Sequence, residues 1–349
     1  DQPRKLLLAS MFCLRGWNLK QMAPVLNDTD AEWLSAAKAM PVDSWPLAVR
    51  LDLPDWLFER LSAKYPLDIE ALATALNRPA PLDLRINPMK VTREAVLQRL
   101  AADGMPGTAC VHSPLGIRLE EKPALSRHPL FLDGSIEVQD EGSQLLGYLV
   151  APKRGEMVVD FCAGAGGKTL LLGALMRSAG RLYAFDVSEK RLANLKPRLA
   201  RSGLSNVHPV RIESENDIKV KRLAGKLDRV LVDAPCSGLG TLRRNPDLKW
   251  RQSPESVTEL TQKQHDILTA AARLVKSGGR LVYATCSLLA EENEDVVSAF
   301  LAAHPDFVPL NAAEILSRQG INVGDEAALR LLPHVHGSDG FFAMAMERK

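Results

Sequence analysis

The sequence predicts an α/β protein: a doubly wound, Rossmann-like domain over residues 151–349, preceded by a small α+β module over 71–150 and a helical segment over 1–70. Three observations carry that reading. From about residue 155 onward, strand-like runs alternate with helix-length amphipathic segments, the pattern of a parallel sheet wrapped by helices. The first of those strands runs into a glycine-rich turn, Cys162-Ala-Gly-Ala-Gly-Gly-Lys168. The second ends about twenty residues later in an acid, Asp186, at the sheet edge where open α/β folds meet their ligands.

In chain order, residues 1–70 read as helices. Leu6, Leu7, Phe12 and Leu14 open an apolar stretch, and Trp33, Leu34, Ala36 and Ala37 form a second behind the capping candidates at 28–30. Pro54 sits near the first turn of a helix carrying Trp56 and Phe58. The run Pro79-Ala-Pro81 marks a boundary. Short strands over 82–86 and 117–119 and a helix over 92–102 make up the α+β module. In the last domain, strands are expected over 157–161, 181–186, 207–212, 227–233 and 280–285, with helices over about 168–178, 188–202 and 254–276. Residues 340–346 can add a further strand.

The chain has 349 residues, 46% hydrophobic and 25% charged, an ordinary globular composition that exceeds one domain. Its net charge is only +2, but residues 181–251 are rich in Lys and Arg and residues 291–349 in Asp and Glu. That distribution implies either one positive face for phosphates or a solvated surface on which the charges cancel. The five cysteines are Cys13, Cys110, Cys162, Cys236 and Cys286, an odd number with no Cys-x-x-Cys pair. They speak against a disulfide framework and for a reducing, cytoplasmic compartment. No run approaches the roughly 18 apolar residues of a membrane span. The chain opens on Asp1 rather than Met, with no basic segment leading into an apolar signal core, which fits a fragment trimmed of part of an N-terminal domain. His334 and His336 have no Cys partners and read as loop residues, so no metal is expected.

Two nucleotide patterns fail at the glycine loop. A phosphate-cradling loop would end in Gly167-Lys168-Thr169 but needs glycine at position 162, which is Cys162. The dinucleotide fingerprint fits Gly164 and Gly166 but meets Thr169 at its last glycine. What remains is a turn that lets backbone approach a small ligand, with Asp186 placed to accept from ribose hydroxyls. Adenosine without a pyrophosphate fits, and S-adenosylmethionine is the commonest cofactor of that kind. A plain packing turn is the bland alternative.

The fourth strand leads into Asp233-Ala-Pro-Cys236-Ser-Gly and the fifth into Thr285-Cys286-Ser287, so two thiols, a carboxylate and the glycine loop should share one crevice. Methylating carbon 5 of cytosine calls for that set. Carbon 5 is too weak a nucleophile unaided, and a thiolate added at carbon 6 turns the ring into an enamine whose carbon 5 can attack. A base then removes the carbon-5 proton, and an acid near N3 stabilises the charge built up during addition. Either thiol alone reads as a buried core cysteine; two at adjacent strand ends favour chemistry. The spacing alone leaves open which of them attacks.

These residues resemble the RNA cytosine-5 methyltransferases of the Nop2/Sun group. Cys162–Lys168 is similar to that family's cofactor loop, Asp233-Ala-Pro-Cys236-Ser-Gly to its fourth motif and Thr285-Cys286-Ser287 to its sixth. Arg85-Ile-Asn87, Gln139-Asp-Glu-Gly-Ser-Gln144, Arg243-Arg-Asn-Pro-Asp247 and Asp339-Gly-Phe-Phe342 extend the resemblance over residues 50–349. The N-terminal helices resemble the tail of an antitermination-factor-like RNA-binding domain, an arrangement of the bacterial branch that acts on 16S ribosomal RNA. The resemblance implies a Rossmann-like S-adenosylmethionine-dependent methyltransferase domain acting on RNA, with no obligate protein partner. It makes Cys286 the nucleophile, Cys236 the residue that assists release, and Asp233 the contact to both cytosine and cofactor. Cofactor contacts carried over are Cys162, Ala163, Gly164, Ala165, Gly166, Gly167, Lys168, Asp186, Arg191 and Asp233.

One departure stands out. After the third strand the family places an Asp on the adenine side; here that place is Ser214, with Glu213, Glu215 and Asp217 nearby, and none is assigned. The target base must be unpaired or flipped to reach such a cleft. Arg243, Arg244, Lys249 and Arg251 around Trp250 suit phosphate contacts, unless Arg251 serves the helix starting near Pro254 and Trp250 is core. Two other functions remain open: the same chemistry on transfer RNA, or a catalytically idle RNA-binding assembly factor. Intact Cys236, Cys286, Asp233 and glycine loop speak against the idle factor.

Overall fold

A computed structural model describes residues 2–349; Asp1 and the side chains of Leu14, Lys38 and Val42 lie outside the described residues. The chain parts into two compact units, residues 1–54 and 55–349. The sequence reading put the first boundary near 70. The helices Asp55–Lys64 and Ile69–Leu76 belong instead to the second unit, because they bury Leu57, Leu61, Leu72 and Leu76 there. Lys64 also pairs with Glu294 at 2.7 Å, and the Tyr65 hydroxyl donates to the Leu288 carbonyl at 3.3 Å.

The first unit is helical around a small core of Leu8, Met22 and Leu34. Leu6 and Leu7 of the predicted apolar stretch are 65% and 62% exposed; Leu8 is the buried member. Helix Asp28–Ala39 is capped one residue earlier than expected. The Asn27 side chain accepts from the Asp30 backbone N–H at 2.7 Å, and Asp30 accepts from Asn27 in return.

The second unit holds two sheets. The smaller contains β1 (Leu82–Ile86), β2 (Gly107–Ala109), β3 (Gly116–Leu119) and β4 (Ile136–Val138), all antiparallel in the order β2-β3-β1-β4. Helix Arg93–Ala102 lays Val96 and Leu100 on Leu84, Ile86 and Ile117.

The larger sheet has β5 (Met157–Asp160), β6 (Arg181–Asp186), β7 (Val207–Arg211), β8 (Leu227–Asp233), β9 (Val275–Thr285), β10 (Phe307–Leu310), β11 (Leu329–Leu331) and β12 (Phe341–Arg348). Its order is β10-β12-β9-β8-β5-β6-β7, with β11 beside β12. Strands β5 to β9 run parallel, as predicted, and β12 lies antiparallel to β9. Successive residues feed opposite faces: Val158, Leu231 and Val282 enter one core, and Val159, Val230, Val232 and Tyr283 the other.

Helix Glu141–Val150 was not anticipated. Nearly all of it is buried, Ser143 excepted. The chain leaves β5 outward to β6 and β7, then returns to β8 on the other side of β5, so the topological switch point lies between β5 and β8. Among the described residues, no helix is long and apolar enough to cross a membrane.

Candidate active site

A cavity of about 590 Å³ opens at the carboxyl ends of β5, β6, β7, β8 and β9. At its first end, the turn after β5 wraps over Asp186. The Gly164 N–H donates to one Asp186 oxygen at 2.8 Å and the Ser188 N–H to the other at 2.7 Å. Gly166 has φ +82°, and a Cβ there would lie 2.2 Å from a Leu195 methyl, so only glycine fits. Gly166 itself faces Leu195 and caps helix Gly167–Leu175, outside the cavity lining. Cys162, Ala163, Gly164, Ala165, Gly167, Lys168, Asp186 and Arg191 all line the cavity.

Two guanidinium groups fix the loop carbonyls. Arg198 donates to the Ala165 oxygen at 2.6 Å, and buried Arg85 of β1 to the Gly167 oxygen at 2.7 Å. Arg85 also bonds Gln139, which lines the cavity. Glu137 of β4 balances Arg198 at 2.8 Å and Arg201 at 2.7 Å. The small sheet thereby becomes part of the cofactor end, and Arg85-Ile-Asn87 and Gln139 acquire a structural reason.

At the second end the thiols meet. Strands β8 and β9 are parallel neighbours with Asp233 opposite Ala284, and the Ala234 N–H donates to the Ala284 carbonyl at 2.8 Å. The loops that follow bring Cys236 and Cys286 sulfurs to 3.3 Å. The hydrogen bond with Cys286, followed by burial, pushes the Cys236 thiol well above its usual range, so it keeps its proton at neutral pH.

Between the ends, Lys168 pairs with Asp233 at 2.6 Å. Burial opposes the ammonium charge, but Asp233 outweighs it, and Lys168 stays charged and favourably placed toward a Cys286 thiolate. Cys162 is held up by burial and packs against the core under the loop.

Some site residues escaped the sequence reading. Asp160 is 1% exposed at the end of β5, and burial pushes it up to about 7 even though Thr169 donates to it at 2.7 Å. Its other oxygen has no hydrogen-bond partner, although the residue lines the cavity. An acid closing the first strand was the available signal. After β7, Glu215 lines the cavity with Ile212. Asp217 instead caps a helical turn by accepting from Lys219 and Glu213 N–H groups at 2.8 Å each, and Ser214 accepts from Asn216.

The basic cluster after Cys236 separates. Arg243 and Arg244 are tied to Asp339, at 3.3 Å and 2.5 Å, and Arg244 also to Asp140. Lys249 is 3% exposed and donates to Asn77 at 3.0 Å. These three are structural ties, which corrects the expectation of phosphate contacts. Trp250 is 61% exposed and therefore not core, beside Arg251, which pairs with Asp247 on the surface. His334 and His336 sit on the helical turn Pro333–His336, where the His336 ring accepts from the Leu332 N–H at 3.0 Å.

The cavity lining suits a cationic nucleoside. Carboxylates of Asp160, Asp186, Glu215 and Asp233 face it alongside apolar Phe161, Ile212 and Ile267, and the space beside Gly164 Cα is open.

The family described as 16S rRNA methyltransferase RsmB/F matches residues 147–347, and the ferredoxin-like domain of RsmF/B-like methyltransferases matches residues 53–126. A probable ribosomal RNA small subunit methyltransferase B from Synechocystis sp. is 39% identical over 308 residues, spanning 86% of this chain and 68% of its own. Its counterpart in Bacillus subtilis is 33% identical over 93% of this chain and 73% of its own. The crystal structure of a methyltransferase homolog protein from Pyrococcus horikoshii is similar with a TM-score of 0.74 at 30% identity, covering 86% of this chain and 97% of that one.

Proposed function

Because the chain belongs to the 16S rRNA methyltransferase RsmB/F family, we propose that it methylates carbon 5 of a cytosine in 16S ribosomal RNA through a Cys286–cytosine adduct. The observation that carries this is the 3.3 Å approach of two thiols in the same cavity as Asp186 and the Lys168–Asp233 pair. The family's cofactor, S-adenosylmethionine, supplies an electrophilic methyl group when bound. Asp186, Glu215, Ile212, Asp160 and the loop residues Cys162, Ala163, Gly164, Ala165, Gly167 and Lys168 would hold it.

The chain's own residues do the rest. Cys286 releases its proton to solvent, the Lys168 ammonium favouring the thiolate left behind, and its sulfur bonds to carbon 6 of the flipped base. Asp233, held by Lys168, meets the cytosine edge, and the Lys168 ammonium offsets the negative charge that builds on the ring. After methylation a base takes the carbon-5 proton, the carbon 6–sulfur bond breaks, and the ring double bond returns. Cys236, still protonated, donates to the departing Cys286 sulfur. The four-stranded module and the N-terminal helices are read as RNA-binding parts, and a ribosomal substrate places the work in the cytoplasm.

Cys286→Ala is expected to abolish methyl transfer to 16S RNA with cofactor binding retained. Cys236→Ala is expected to accumulate a covalent protein–RNA adduct, seen as a shifted band on a denaturing gel. Exchanged phenotypes would reverse the two roles, and no adduct in any variant would sink the covalent route.

A further inference from the structure

Each thiol is followed by a serine, Cys236-Ser237 and Cys286-Ser287, and both serines end on one carboxylate. Glu292, just before helix Glu294–Ala303, is fully buried. One of its oxygens accepts from the Ser237 N–H at 2.7 Å and from Gln264 at 3.0 Å. The other accepts from the Ser237 hydroxyl at 2.5 Å and from the Ser287 hydroxyl. All four donors are neutral, and together they satisfy both oxygens of this buried carboxyl group.

Its neighbours extend the grip on the same two loops. Gln264 also donates to the Pro235 carbonyl at 3.0 Å, next to Cys236. Asn293 accepts from the Thr285 hydroxyl at 2.5 Å and donates to the Ser287 carbonyl at 2.9 Å, bracketing Cys286. The Tyr283 hydroxyl, on β9, donates to the Glu292 carbonyl at 2.6 Å.

We propose that Glu292 is a positioning residue that clamps the Cys236 and Cys286 loops together and so sets the distance between the two sulfurs. The parallel strands alone bring the backbones alongside. A sulfur three residues past the end of β8 needs a further constraint to stay at 3.3 Å from its partner. The loops touch where the Ser237 and Ser287 hydroxyls lie 3.2 Å apart and the Gly240 N–H donates to the Cys286 carbonyl at 2.8 Å, and Glu292 binds both serines at once. The clamp assignment rests on geometry; its catalytic consequence rests on the reading in which Cys286 attacks and Cys236 assists release.

Thiol proximity is measured directly with diamide. The two thiols give up two protons and two electrons to form a disulfide, and the diazene is reduced to the hydrazine. The Cys236–Cys286 disulfide is quantified by peptide mapping on wild type, Glu292→Ala and Glu292→Gln, each with its folded fraction taken from thermal melting. The wild-type chain is expected to close the bond rapidly. Glu292→Ala should slow it about 100-fold per folded molecule, the scale of a misplacement near 1 Å. Glu292→Gln, which still bridges the serines through one oxygen and one amide, should recover most of that rate.

The methylation kcat should follow the same ranking while the KM for S-adenosylmethionine stays put. Equal crosslinking rates in all three proteins would overturn the clamp, as would activity losses that track the unfolded fraction alone. Slowed crosslinking without any methyltransferase activity in the wild type would uphold the clamp and sink the functional reading instead.

Discussion

At the glycine-loop end of the cavity the structure is held mainly through backbone groups; at the thiol end it is held mainly through side chains. The turn over Asp186 takes its shape from glycines and from arginines that grip main-chain carbonyls. The two sulfurs come from loops fifty residues apart, which the buried Glu292 and Asn293 gather together. A contiguous turn is specified by local sequence, whereas a meeting of distant loops needs a third party. The two ends should therefore fail differently: the first when a side chain is added, the second when one is removed.

Adding bulk at Gly166 is the largest expected effect. A valine there would meet the Leu195 methyl group that already lies 2.2 Å from the position of its Cβ, and would need a φ of +82°. The left-handed backbone costs about 1–2 kcal/mol and overpacking about 1–3 kcal/mol. Gly166→Val should lose stability by about 3 kcal/mol in urea unfolding. Cofactor affinity should fall with it, because the same turn carries Gly164 over Asp186. An unchanged urea midpoint would show that the turn tolerates side chains and would dissolve the contrast.

Asp160 sharpens the comparison, since it is a side chain at the backbone-built end. Its folded-state value of about 7 stands above the ordinary 3.8, so burial favours the protonated form. Its contribution to stability is complete below pH 3.8 and is lost as the pH rises toward 7, at no more than about 1.4 kcal/mol per pH unit. Asp160→Asn should flatten the stability–pH profile between pH 4 and 7 and be the more stable protein at pH 8. Parallel profiles for the two proteins would mean that Asp160 ionises freely in the fold.

The same contrast explains what could be read in advance. The parallel strands, the glycine turn, Asp186 and both cysteines announce themselves through short-range pattern, and the strand bounds fall within a few residues of expectation outside β9, which begins at Val275. Helix Glu141–Val150 did not: Gly142 and Gly147 weaken its local helical signal, and burial in the fold holds it instead. Glu292 and Asp160 were invisible for a related reason. A buried acid looks like any other acid until its donors are brought to it from elsewhere in the chain. The arginines after Cys236 misled in the opposite sense: charge density suggested phosphates, but Asp339 and Asp140, about a hundred residues away, had already claimed Arg243 and Arg244.

Arg251 is the exception in that group and gives the smallest predicted effect on stability. Both it and Asp247 are 64% exposed at 2.8 Å, an i,i+4 surface pair worth about 0.3–0.5 kcal/mol at most. Arg251→Ala should therefore leave the urea midpoint almost unmoved. Arg251 follows the exposed Trp250 in the chain on the stretch after Cys236, and a phosphate can replace Asp247 at little cost. RNA affinity measured against salt should then lose about one unit of slope in Arg251→Ala. The tied Arg244 offers the control: Arg244→Ala should lower the urea midpoint, because it strips buried Asp339 and Asp140 of a partner, and leave the salt slope per folded molecule unchanged. A reduced slope in Arg244→Ala with none in Arg251→Ala would move the RNA path to the other side of the Trp250 turn.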